Sequence, residues 1–115
     1  MIRIPRAAMW ASSSLLAVAF VLVGLSKLAG PSAMRWSERL AHWGYPAGFG
    51  YAVGVLEVFG GIGVLIAKVR GAAAATLIAL MVGACLTHLA HGEPVRLMPP
   101  LILGGLALLV YSWRP

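Results

Sequence analysis

Three side chains in this chain are of the types that move protons and fix charge, and their surroundings make them costly to keep. Glu57 sits in a stretch from Leu40 to Ala67 that otherwise carries no Asp, Glu, Lys or Arg. A carboxylate at the centre of a helix in lipid costs about 2.5–3.5 kcal/mol on insertion scales, so it needs a partner, a proton or water. Lys27 closes an apolar run and can lay its stem along apolar walls while its ammonium seeks a partner. His88 is the side chain that titrates near neutral pH, and it shares a helical face with Cys85 and with His91. The chemistry this set could do is proton transfer: Glu57 accepts, Lys27 fixes its charge, and His88 relays toward the surface. Glu57, Lys27 and His88 are therefore the candidate catalytic residues.

Each has a plainer reading. Lys27 could simply reach for the headgroup layer, and His91, followed at once by Gly92-Glu93, sits at headgroup level. Cys85 by default behaves as a small buried hydrophobe. Cys85-x-x-His88-x-x-His91 has metal-ligand residue types, but zinc needs three or four ligands in a tetrahedron and His91 lies too shallow. No metal is expected. A single cysteine among 115 residues also excludes a thiol–disulfide enzyme working through its own cysteine pair.

The elements that must position these groups follow from composition. The chain is 61% hydrophobic and only 10% charged, where soluble domains carry about 25% charged residues. An integral membrane protein of one all-α domain is expected, with the lipid bilayer as its first partner. The net charge of +6 comes from basic residues scattered singly at the ends of apolar runs, which anchors helices; a nucleic-acid binder would cluster them. No nucleic acid is expected.

Uncharged runs predict four spans, at about residues 7–28, 47–67, 71–91 and 97–113, each near the roughly 17–25 residues that cross a hydrocarbon core. Pro99-Pro100 falls in the first turn of the fourth, where missing N–H groups cost little. The first run imitates a signal peptide, with Arg3 and Arg6 before it, but exceeds a usual hydrophobic region and is read as a retained helix. Between the first two spans, residues 32–43 place Ala33, Trp36, Leu40 and Trp43 on one face and Arg35, Glu38, Arg39 and His42 on the other. With Ser32 as N-cap, this predicts a short amphipathic helix lying in the interface over one mouth of a four-helix transmembrane bundle; an ordinary surface loop is the alternative. Arg3, Arg6, Lys68, Arg70 and Arg114 outnumber the basic residues of the other side and favour cytoplasmic termini in a cell membrane.

Helical spacing puts Gly50, Gly54, Glu57 and Gly61 on one stripe, so Glu57 points into a tightly packed interface. Its depth below the mouth, about 9–15 Å at 1.5 Å per residue, brings it within reach of Lys27 and of His88 on the third span. A planar apolar ligand could enter between helices lined by Phe20, Gly54, Leu56, Phe59 and Cys85.

Three segments, Val23-Gly-Leu-Ser-Lys27-Leu28, Gly54-Val-Leu-Glu57-Val-Phe-Gly60-Gly61 and Thr87-His88, with Gly44-Tyr45-Pro46 before the second span, resemble the DoxX and DoxX-like family of small four-helix membrane proteins. The resemblance spans nearly the whole chain in order. It implies a bacterial inner-membrane protein, with relatives such as the membrane subunit of thiosulfate:quinone oxidoreductase, and carries Lys27, Glu57 and His88 over as a polar set. The expected function is a redox-associated or quinone-handling subunit, with a quinone as the candidate cofactor and a membrane-protein partner or further copies of the chain around it. Larger relatives have cysteines or subunits this chain lacks. A non-enzymatic assembly subunit is the alternative; a small transporter is disfavoured, since the chain has no two halves with matching broken helices.

Overall fold

The computed structural model describes residues 4–113, so Arg3 and Arg114, on which part of the orientation argument rests, lie outside the described residues. Helices are the only regular structure among the described residues: α1 (Arg6–Leu28), α2 (Gly30–His42), α3 (Phe49–Gly63), α4 (Arg70–Ala90) and α5 (Met98–Ser112), with short 3₁₀ turns at Ala67–Val69 and Pro94–Leu97 leading into α4 and α5. α1 packs chiefly on α3, α3 on α4 and α4 on α5, and α5 returns to α1. The bundle is 44 Å along its longest axis, close to a bilayer with its headgroup layers at about 40–45 Å.

Three helical segments are long and apolar enough to cross a membrane: Arg6–Leu28, Ala67–Ala90 and Pro94–Ser112. Their outward faces are covered in large apolar side chains, Leu15, Val18 and Leu22 on α1, Val82, Leu86 and Leu89 on α4, and Leu101, Ile102 and Leu108 on α5. In water that surface would aggregate; in lipid it costs nothing. The inward faces form a core around Leu16, Phe20, Val64, Leu77, Ala107 and Val110.

The second expected span differs. α3 has 15 residues, about 22 Å at 1.5 Å per residue, rather than the 21 of residues 47–67. Its sequence closes on Gly60-Gly61-Ile62-Gly63, a poor helix-forming run. The carbonyl of Val64 just beyond receives a hydrogen bond from Arg70 Nε at 2.8 Å, so side-chain satisfaction replaces another helical turn. Arg70 is buried, and its guanidinium lies over Trp113 at 4.1 Å and Trp10 at 5.4 Å, whose rings meet edge to face. The end of α3 is thereby tied to the start of α1 and the end of α5.

α2 also departs in detail from the expected 32–43. It begins at Gly30 with Pro31 in its first turn, and Ser32 does not cap it. The Ser32 hydroxyl instead donates back to the carbonyl of Ser26 at 2.7 Å, holding α2 against the end of α1. Ala33 and Leu40 are buried beneath the helix while Arg35, Glu38 and His42 face outward, which is the amphipathic division the spacing requires.

Candidate functional site

The contact between α1 and α3 is set by two glycines. A Cβ added at Gly24 would lie 2.7 Å from the backbone oxygen of Gly54, and one at Gly54 would lie 3.0 Å from Lys27 Cβ. Without side chains at these positions the two backbones approach directly. One turn beyond each, Lys27 and Glu57 then face one another: Lys27 Nζ donates to Glu57 Oε1 at 2.7 Å, with the side chains only 8% and 1% exposed. The ion pair is the outcome of a close helix crossing with a charged residue placed just after it on each helix.

The lysine is held from a second side. Its Nζ lies 4.5 Å from the centre of the Trp36 ring on α2, a cation–π distance. Trp36, Leu40 and Trp43 of α2, Tyr45 and Phe49 of the following segment, Val53 of α3 and one face of α4 that includes Ala84, Thr87 and His88 line a cavity of about 330 Å³, with Lys27 and Glu57 on its wall. That volume lies within the roughly 300–1,000 Å³ of small-molecule sites, and the mostly apolar lining with a few convergent polar groups is their usual chemistry.

The mouth is braced by polar and aromatic contacts. The Thr87 hydroxyl donates to the carbonyl of Gly83, so it is Tyr45 that donates to Thr87, and the Tyr45 ring stacks on Phe49 at 4.5 Å. Trp43 stacks on His91 at 4.7 Å and meets His88 edge to face at 6.1 Å. Gly92, with φ +66°, turns the chain at the end of α4. The turn folds Glu93 back onto His88, whose Nδ1 donates to Glu93 Oε1 at 2.9 Å, while Arg96 Nε stands 3.7 Å from Oε2. The hydrogen bond from His88 holds the Glu93 carboxyl below the ordinary carboxylate range, aided by the positive charges of Arg96 and Arg39.

Lys27, Glu57 and His88 therefore share one cavity. The five residues expected to line a ligand pocket do not border it. Phe20 is fully buried in the core and Gly54 is spent on the α1–α3 contact. Leu56 and Phe59 are largely exposed and border a shallow groove between α3 and α4 with Gly60 and Thr76. Cys85 faces a third groove, between α4 and α5. The reason is helix phase: at about 100° per residue, Leu56 and Phe59 stand far around α3 from Glu57. The aromatic wall took their place. Its signal was present in the sequence, since Trp36 and Trp43 lie seven residues apart on the apolar face of the helix that follows Lys27, a spacing shared by residues that cover the same surface. Among the described residues no group of three or more His, Cys, Asp and Glu is placed to hold a metal ion.

No curated protein and no solved structure matches the chain. The profile of the DoxX-like family matches it over residues 11–110, a span that includes Lys27, Glu57 and His88. With its long apolar helices this fits a membrane protein, and the chain belongs to the DoxX-like family.

Proposed function

We propose that the chain is a four-span, redox-associated membrane subunit that holds a quinone in the cavity beneath α2. In this arrangement the short α3 crosses beside the three longer segments, with the bilayer thinned or the helix ends extended by their loops to meet it. The observation that carries the proposal is a buried ammonium–carboxylate pair on the wall of an aromatic-lined cavity that also presents an imidazole. These residues fit a quinone head: Trp36, Trp43, Tyr45 and Phe49 offer flat apolar faces, and Lys27 supplies a donor suited to a ring carbonyl. A bound quinone would take up two electrons and two protons in becoming the quinol, with the electrons supplied by a partner membrane protein. Glu57 keeps the lysine in place, and His88 offers a route for protons between the cavity and the surface.

Quenching of tryptophan fluorescence by a short-chain quinone tests this, because two of the chain's four tryptophans border the cavity. Saturable quenching is expected, absent from a Trp36→Phe/Trp43→Phe variant. Glu57→Gln should weaken binding about tenfold, the equivalent of one hydrogen bond to a charged group. Unchanged affinity in Glu57→Gln would remove the mechanism.

A non-enzymatic assembly role is the second reading, favoured by the fact that Lys27 and Glu57 satisfy one another at a close helix crossing. On that reading an apolar replacement of both keeps the bundle and its partner association intact.

A further inference from the structure

We infer that Glu93 is a positioning residue: it fixes His88 in the tautomer that carries its hydrogen on Nδ1, so that Nε2 is left as an acceptor for a group in the cavity. The inference rests on the cavity being a ligand site and deepens that reading by giving the imidazole a defined hand.

The geometry is specific. A carboxylate only accepts hydrogen bonds, so the 2.9 Å contact between His88 Nδ1 and Glu93 Oε1 requires the hydrogen to be on Nδ1. The His88 side chain makes no other hydrogen bond among the described residues, and its ring borders the cavity. Nε2 is therefore the nitrogen available for a ligand hydroxyl or a water. A carboxylate backing an imidazole in this way fixes the orientation of the ring and which nitrogen carries the hydrogen.

Every element around the dyad contributes to holding it. Arg96, in the 3₁₀ turn before α5, faces the second oxygen of Glu93. Arg39 reaches across from α2, with its guanidinium over Trp36 and Trp43, and adds positive charge near the same carboxylate. Trp43 meets the His88 ring at its edge, and His91 is turned away, donating from Nδ1 to the carbonyl of Thr87. Lys27 and Glu57 face His88 only across the cavity. Because Glu93 is held below the ordinary carboxylate range, it is ionised at neutral pH and can only accept a hydrogen bond from the ring.

The test is ¹⁵N NMR of the histidine-labelled full chain in lipid nanodiscs. For His88 in its neutral form, reached by raising the pH until the ring spectrum no longer changes, Nδ1 is expected to resonate as a protonated, pyrrole-type nitrogen and Nε2 as an unprotonated, pyridine-type one. In Glu93→Ala the tautomer ratio should move by about tenfold or more toward Nε2–H, the loss expected for one charge-assisted hydrogen bond. Glu93→Gln, whose amide oxygen can still accept, should keep part of the Nδ1–H form. Glu93 is half-buried in the connection after Gly92, outside the packed helices, so both variants fold. An Nε2–H tautomer in the natural chain, or a ratio unmoved by Glu93→Ala, overturns the inference. Adding a short-chain quinol should shift the Nε2 resonance in the natural chain and not in Glu93→Ala; a quinol that quenches tryptophan yet leaves Nε2 unmoved also overturns it. A wild type that shows no quenching at all removes the quinone reading alone, since the tautomer measurement needs no ligand.

Discussion

Lys27→Met should lower the stability of the bundle by about 3–5 kcal/mol, the cost of leaving a buried charge without its partner. Glu57 is 1% exposed on the inner side of α3, at the wall of a mostly apolar cavity, and its short side chain cannot reach the headgroup layer. Glu57→Leu should cost less. Lys27 sits in the last turn of α1, beside the mouth, and its four-carbon stem can swing the ammonium toward the headgroups once the carboxylate is gone. Trp36 also keeps part of the cation's environment intact. The double variant Lys27→Met/Glu57→Leu should recover most of the loss, because two apolar side chains of similar volume replace two charges that were both desolvated. Chemical unfolding in detergent micelles checks the series. An additive double variant would mean that the two side chains do not stabilise one another.

Gly24→Ala is the second large effect. Its new Cβ would stand 2.7 Å from the backbone oxygen of Gly54 and 3.0 Å from the backbone nitrogen of Val58, so no side-chain rotation can relieve the contact. α1 and α3 must part, at a cost of about 1–3 kcal/mol for the methyl group and more for any larger side chain. Parting them also separates Lys27 from Glu57, one turn away on either side. Gly105→Ala is the control. Its Cβ meets nothing within 4 Å, so the change should be neutral or raise stability by up to about 1 kcal/mol, as for a glycine removed from a helix interior. Thermal melting of the two variants side by side separates a backbone contact from a general intolerance of glycine replacement.

The ion pair was the most legible part of the site in the sequence, whereas Gly24 stood out only within the motif around Lys27 and not as the partner of Gly54. Glu57 announced itself by its cost in an apolar run, and counting residues along two helices was enough to pair it with Lys27. The glycine stripe beside it pointed to close packing for the same reason. The length of α3 was not legible, because hydropathy continues through Val64, Leu65 and Ile66 while the helix stops at Gly63. What ends it is Arg70, a residue seven positions downstream that folds back to the Val64 carbonyl, and hydropathy does not register such a contact. The cavity wall was hidden differently. Trp36 and Trp43 look like interfacial anchors in the sequence, and only the seating of α2 on α1 and α3 turns them toward the cavity. Glu93 looked like an ordinary loop charge until the turn at Gly92 brought it to His88.

The central claim is that the Lys27–Glu57 pair forms the polar end of a ligand cavity. Infrared difference spectroscopy with a ¹³C-carbonyl-labelled short-chain quinone measures this directly, since a hydrogen bond from the ammonium lowers the stretching frequency of the carbonyl that receives it. The account predicts a lowered carbonyl band in the natural chain that returns to its lipid value in Lys27→Met/Glu57→Leu, a variant expected to stay folded. The same band position in both proteins, or a lipid-like band in the natural chain, would contradict it.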